Sequence, residues 1–382
     1  MSALYVHVPF CVRKCEYCDF YSEAAGERDI ERYLDALERE FRLRHESLSP
    51  RTLFVGGGTP TRLSAAQLTR LGQTLRRHVD FARLSEFTVE INPGTLDERK
   101  AASLADMGVT RASFGVQSFD AGFLKQLGRV YEVGKAESAV GLARGAGIAR
   151  ISMDLMFALP GQTLEHLRED LRRALVLGSE HLSLYALTYE DDTPLTLALQ
   201  RGEIEPCPEE LEREMFSLAG QTCAASGLQR YEVSNFARPG AECVHNLAYW
   251  RQDNWRGYGA GAHGMVEGEI TENAADHAAY ARCLLEENRL PIVRRERLSP
   301  AQRAETLLLM GLRLSEGVEL AKFERLSGSP FSAVCVESSR ALARRGLLEL
   351  GETHVRCTDE GLLVLDRVIL ELASELGAGV AR

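Results

Sequence analysis

Short apolar runs alternate with longer stretches of helical periodicity through the first two-thirds of this chain. The runs fall at residues 4–8, 52–55, 87–91, 111–116, 151–157 and 181–185, and each has the length and composition of a strand. Between them, Ile30, Leu34, Leu37 and Phe41 form one apolar stripe at helical spacing, residues 63–75 hold another, and Leu164, Leu167, Leu171, Leu175 and Leu177 make a third. Strand followed by helix, six times over, predicts parallel strands joined by right-handed crossovers. The expected core is an α/β fold, a partial (β/α)6 TIM-like barrel. In such folds the loops that follow the strands build the site.

After residue 200 the pattern changes. Residues 209–225 read as a helix, and 255–264 (W-R-G-Y-G-A-G-A-H-G) are too glycine-rich for one. That stretch is expected to be a close-packed loop beside a ligand or another backbone. From about residue 298 the chain reads as three helices, two short strands at 347–350 and 354–357, and a last helix through Leu372. This is a small winged-helix-like α+β domain. The predicted division is a core at 1–230, a connecting region at 231–297 and a C-terminal domain at 298–382.

Composition narrows the function classes. A chain of 382 residues, 45% hydrophobic, can bury one large core and a small one. No apolar run reaches the length that crosses a bilayer. Met1 stands just ahead of the first strand, so no leader is expected, and an odd count of 9 cysteines fits a reducing cytosol. The net charge of −10 argues against broad binding to nucleic acid or anionic membrane. Arg340, Arg344 and Arg345, with Glu337 nearby, read as a solvated helix face or a domain contact.

The chemistry concentrates in H-V-P-F-C-V-R-K-C-E-Y-C-D-F, where Cys11, Cys15 and Cys18 are spaced C-x3-C-x2-C on the loop that leaves the first strand after Pro9. Three such thiolates hold three corners of an iron–sulfur cube and leave the fourth iron open for chemistry. Structural zinc usually wants four ligands and would have to draw on His7 or a distant residue. Arg13 and Lys14 are either plain surface charge or a local field that favours thiolate. Other strand ends are polar too: Gly56-Gly57-Gly58-Thr59-Pro60-Thr61, Glu90 in V-E-I-N-P-G, Gln117 in F-G-V-Q-S-F and Asp154 in S-M-D-L-M-F-A-L-P-G-Q-T. Alone, each reads as a tight turn or a loop cap. On successive loops around a cluster they read as the wall of a cofactor pocket. The glycine run is not a phosphate P-loop, because no Gly-Lys-Ser/Thr follows it.

These runs, with S-N-F-A-R-P-G and H-N-L-A-Y-W, resemble the radical S-adenosylmethionine proteins of the anaerobic coproporphyrinogen III oxidase-like family, and within it most closely the haem-chaperone branch. The resemblance implies that Cys11, Cys15 and Cys18 bind a 4Fe-4S cluster whose fourth iron is chelated by S-adenosylmethionine. It places Tyr5, Tyr17, Gly57, Gly58, Thr59 and Glu90 at that ligand. Gln117, Arg129, Asp154 and Ala186 match positions that hold a second adenosylmethionine in the true oxidases. Those oxidases carry a further cysteine two residues past the third and an N-terminal extension; here the position is Phe20 and the first strand begins at once. The implied function is therefore haem binding and transfer to an acceptor protein, in the cytoplasm, with oxygen-independent coproporphyrinogen III dehydrogenation as the alternative. A homodimer, and an electron donor if radical chemistry occurs, complete the expected partners; nucleic acid is not among them. For haem, His245 is the first candidate axial ligand, flanked by Tyr249 and Trp250, with Cys243 a weaker candidate and His263 second to His245. Without the resemblance, a lone histidine beside aromatics is more often a satisfied core residue.

Overall fold

In a computed structural model of the chain, residues 2–45, 48–129, 131–132 and 134–379 are described. The six expected strands form: β1 (Ala3–Val8), β2 (Thr52–Gly57), β3 (Glu86–Ile91), β4 (Arg111–Gln117), β5 (Arg150–Phe157) and β6 (His181–Ala186). They pair in parallel in sequence order, from β1 with β2 through to β5 with β6. Each pair of successive strands is joined through helix, as the parallel connection requires.

The helices form where the apolar stripes predict them. Helix Glu27–Arg44 buries Ile30, Tyr33, Leu34, Leu37 and Phe41. Helix Ala65–His78 opens on a capping box in which Ser64 accepts from the Gln67 amide and the Gln67 side chain accepts from the Ser64 amide. Helix Leu164–Val176 is capped by Thr163 and buries Leu167 and Leu171. Strand residues alternate cleanly between two faces. Leu4, Val6, Val8, Leu53, Val55, Phe87, Val89, Phe114, Ile151, Met153, Leu155, Leu182 and Leu184 belong to one hydrophobic cluster with the helices. The intervening residues, including Tyr5, His7, Thr52, Glu86, Glu90, Arg111, Ser113, Asp154, His181 and Ser183, face the other side and are mostly polar.

The sheet extends beyond six strands. β7 (Gln229–Glu232) and β8 (Asn235–Ala237) add antiparallel to the β6 edge. At the other edge β9 (Trp255–Tyr258) pairs in parallel with β1, and β10 (His263–Val266), β11 (Glu269–Asn273) and β12 (Ile292–Arg297) continue from it antiparallel, giving 12 strands. The expectation of a glycine loop at 255–264 is corrected here, since that stretch is largely two strands. Its glycines do lie against backbone: a Cβ on Gly257 would fall within 3.0 Å of His263 backbone atoms, which is why strand pairing there tolerates no side chain. Residues 258–284 share the main hydrophobic cluster through Tyr258, Ala260, Tyr280, Ala281 and Leu284.

A second cluster from Ala304 to Leu376 forms its own core. It contains helix Pro300–Gly311, β13 (Val318–Glu319), helices Leu320–Ser327, Phe331–Val334 and Val336–Arg344, then β14 (Leu348–Leu350) and β15 (His354–Cys357) in a three-stranded sheet ordered β13-β15-β14. This is the winged-helix arrangement, with β13 too short to stand out in the sequence. The last helix, Leu365–Gly379, runs past the expected Leu372. Among the described residues no helix is long and apolar enough to cross a membrane.

The edge strands are tied to the core by one buried carboxylate. Glu40 accepts from Gly259 N at 2.9 Å, Asn273 Nδ2 at 2.9 Å, Tyr280 Oη at 2.6 Å and Arg44 Nη2 at 2.6 Å. Removing a charge whose partners are all buried leaves them unsatisfied. Glu40→Ala is expected to cost about 3–5 kcal/mol in urea unfolding, and Glu40→Gln, which keeps an acceptor, clearly less.

Candidate cofactor site

The loop after β1 and the turn after β2 pack directly on each other. Gly58 N donates to Val8 O at 2.9 Å and Thr59 N to Phe10 O at 2.8 Å. A Cβ on Gly58 would lie 2.8 Å from Phe10 N, and one on Gly57, which has φ +107°, would strike the His7 ring. His7 is a wedge rather than a ligand. Its Nδ1 meets Tyr5 Oη at 3.0 Å, its Nε2 meets Tyr21 O at 2.9 Å, and burial lowers its pKa to about 4. The loop returns through Glu23, whose N–H donates to Pro9 O at 2.8 Å and whose carbonyl accepts from Cys11 N at 3.0 Å. The Glu23 carboxylate in turn accepts from the Tyr21 hydroxyl and meets His277 Nδ1 at 2.5 Å.

A cavity of about 610 Å³ opens at the C-terminal ends of the strands. Cys11, Cys15 and Cys18 all line it, as do Tyr5, Tyr17, Gly57, Gly58, Thr59, Glu90, Gln117, Arg129, Asp154 and Ala186. The three thiols are unpaired and half-buried. Cys11 Sγ lies 3.6 Å from Thr59 Oγ1, and Arg129 Nη1 approaches Cys15 Sγ at 3.5 Å. Arg129 Nη2 donates to Gly115 O, while its buried Nε has no protein partner. Burial disfavours the Arg129 charge, yet Tyr17 and Cys15 beside it hold its pKa above the ordinary value. Burial raises the Cys18 thiol, opposed by the backbone bond to Phe20.

Two carboxyls line the cavity from strands β3 and β5. Burial pushes Glu90 up to about 7 against the Gly57 N–H that donates to its Oε2 at 2.9 Å, and the Asp154 charge adds to the rise. Burial likewise lifts Asp154 to about 6, opposed by the Ser183 and Ser113 hydroxyls. The cavity also takes in Tyr185, Met156, Val12 and Phe20, none of which was singled out in the sequence as lining it. Tyr185 and Met156 continue the inward register of Ser183 and Asp154 by one alternation, so the strand period marks both.

The residues named for haem lie elsewhere. Helix Val244–Trp250 seats against the N-terminal end of β2, away from the cysteine loop: His245 Nδ1 meets Thr52 Oγ1 at 2.8 Å and its Nε2 meets Tyr249 Oη at 2.9 Å. Burial lowers His245 to about 3. Cys243 is buried beside Glu86, with Sγ 3.4 Å from Oε1, and the Arg111–Glu86 ion pair at 2.9 Å closes the same seat. His245, the first candidate axial ligand, is thus engaged in this structure as a satisfied core residue would be. Both ring nitrogens are bonded within the protein, and neither His245 nor Cys243 lines the cavity. His263 is exposed on β10, 4.0 Å from Glu272.

Six parallel β/α units with a three-thiol loop after the first strand define a radical S-adenosylmethionine protein. Residues 5–174 match the Radical SAM superfamily and residues 298–364 the HemN C-terminal domain. The chain is 37% identical to "Heme chaperone HemW" of Bacillus subtilis over 98% of its own length and 100% of the relative's. It is 35% identical to the protein of the same name from Haemophilus influenzae, covering 96% of each. Coproporphyrinogen III oxidase (HemN) from Escherichia coli superposes with TM-score 0.82 at 23% identity, over 98% of this chain and 90% of that one, a likeness of fold. The chain belongs to the HemW family.

The superfamily's groups, a 4Fe-4S cluster and S-adenosylmethionine, fit what the cavity offers. Three thiols line one opening, glycines leave backbone bare beside them, and a buried guanidinium N–H has no protein partner. Glu90 and Asp154 make stability pH-dependent. A native Glu90 that keeps its proton to about 7, against 4.5 when exposed, binds more protons than the unfolded chain in that interval, so stability falls as pH rises through it. Glu90→Gln is expected to flatten the fall of the urea midpoint between pH 4.5 and 7 in cofactor-free protein. At the other end, His245→Ala is expected to cost about 2–4 kcal/mol in the same assay by orphaning Thr52 and Tyr249 and leaving a void, with iron loading unchanged.

Proposed function

We propose that the chain is a haem chaperone. It binds haem, holds a 4Fe-4S cluster through Cys11, Cys15 and Cys18 with S-adenosylmethionine on the open iron, and passes haem to an acceptor protein. The observation that carries this reading is the end-to-end similarity to proteins named HemW, which runs through both the core and the C-terminal domain.

Within the reading each residue has a physical task. Tyr5, Tyr17, Gly57, Gly58, Thr59 and Glu90 line one part of the cavity, with the Glu90 carboxyl as acceptor for an ammonium group and the glycine turn giving close backbone approach. Gln117, Arg129, Asp154 and Ala186 line the neighbouring part, where the free Arg129 Nε is a donor for a carboxylate or a ring nitrogen. When bound, the cluster and adenosylmethionine supply one-electron chemistry at the sulfonium; the protein positions them and excludes water. Phe20 stands where the coproporphyrinogen oxidases carry a further cysteine, which favours carriage of a porphyrin over its conversion. A reducing cytoplasm suits the nine unpaired thiols. A homodimer, and an electron donor when adenosylmethionine is cleaved, belong to the same proposal.

The test is anaerobic reconstitution followed by two assays on one sample. Haem titration is expected to saturate at one haem per chain with a Soret shift, and coproporphyrinogen III with adenosylmethionine and reductant is expected to give no protoporphyrinogen. Turnover without haem binding reverses the assignment.

A further inference from the structure

Three of the large apolar side chains that stand in solvent share one cavity. Phe20 (73% exposed), Val12 (52%) and Tyr185 (43%) all line the cysteine cavity. Phe20 and Val12 come from the cysteine loop, and Tyr185 comes from the end of β6. Met156, at the end of β5, also lines the cavity but is buried and packs against Leu187 and Leu195. The cofactor wall itself is polar and deep, so the three exposed side chains form a rim with a different chemistry from the floor. Leaving such a rim in water is unfavourable, and convergent exposed apolar groups around a cavity mark a ligand surface.

The rim has a cationic shoulder. Arg13 lines the cysteine cavity and also the adjoining one, whose wall carries Lys125. Arg13 is paired with Glu16 at 2.5 Å, but its side chain is 59% exposed. Glu16 is the fixed member of that pair: its backbone bonds Leu127 O at 3.1 Å and accepts from Leu195 N at 2.9 Å. Surface pairs of this kind contribute little, so Arg13 is free to exchange its carboxylate for another.

An apolar rim beside an exposed guanidinium fits a flat molecule with two apolar faces and an anionic edge. We propose that haem is seated across the mouth of the cysteine cavity, its ring against Phe20, Val12 and Tyr185 and its propionates toward Arg13 and Lys125. This rests on the haem-chaperone reading and gives that reading a site, in place of His245, whose nitrogens are both engaged.

The test uses the full chain with its cluster reconstituted and haemin as the probe. Phe20→Asp and Val12→Asp are exposed substitutions that the fold tolerates, and each is expected to raise the haemin Kd about tenfold or more. Arg13→Glu is expected to weaken binding and to reduce its salt dependence. Val176→Asp, equally exposed at 73% but on the outer helix Leu164–Val176, is the control and is expected to bind as wild type, with iron content the same in all four variants. Wild-type affinity in both Phe20→Asp and Val12→Asp overturns the seat while leaving haem binding intact. So does an equal loss in Val176→Asp, or a change in oligomeric state without a change in affinity. A wild-type protein that takes up no stoichiometric haemin overturns the functional reading beneath it.

Discussion

Everything about the site depends on two loops sharing one volume. The turn after β2 passes so close to the strand that launches the cysteines that Gly58 has only backbone atoms of Pro9 and Phe10 where a side chain would be. Backbone cannot swing aside as a flexible side chain can, so any larger residue there displaces Phe10 and, with it, Cys11. The glycine run and the cysteine trio are thus one mechanical unit. Glu23 closes the far end of the loop by pairing with Pro9 and Cys11, and most residues between these anchors, the three cysteines among them, line the cavity.

The polar inner face of the sheet is possible because its demands are met locally. Arg111 has Glu86 and two carbonyls at Ala241 and Glu242; His181 has Ser152 and Tyr231; His245 has Thr52 and Tyr249. These groups sit toward the N-terminal ends of the strands and are saturated. Toward the C-terminal ends burial forces Glu90 and Asp154 toward their neutral forms, and the Arg129 Nε is left alone. A buried polar group without a partner is costly unless a ligand supplies one. The two carboxyls with raised pKa and the lone Arg129 Nε mark the end of the sheet where a cofactor is expected.

Much of this was legible in the sequence, for definite reasons. Strands buried on one face by helices carry strong apolar runs, so β1 to β6 stand out, and the polar residues at their ends follow from the architecture. The thirteen residues expected at the cluster and the adenosylmethionine pocket share one cavity because they lie on the inner face of successive strands or on the loops that follow them. Strands β7 to β10 and β13 have four residues or fewer, and β11 and β12 are rich in charged residues, so no apolar run marks them. H-N-L-A-Y-W misled for another reason. A histidine between aromatics looks the same whether its nitrogens are free or bonded, and only the approach of Thr52, 193 residues away, decides the matter. Phe20 was read for the thiol it replaces; its exposure at the cavity mouth is a tertiary fact.

A cavity with a polar floor and an apolar rim carries a thermodynamic consequence. Whatever covers the rim removes water from the floor and lowers the dielectric around Glu90, Asp154 and Arg129, strengthening every charge interaction below it. Whatever fills the floor stiffens the loop that bears Val12 and Phe20, because the cysteines and the rim are a few residues apart on the same segment. Occupants of floor and rim are therefore coupled, and the coupling is the same in both directions. On the proposed haem seat, that reciprocity gives the iron–sulfur centre a use that needs no turnover, because what fills the floor and what covers the rim bind interdependently.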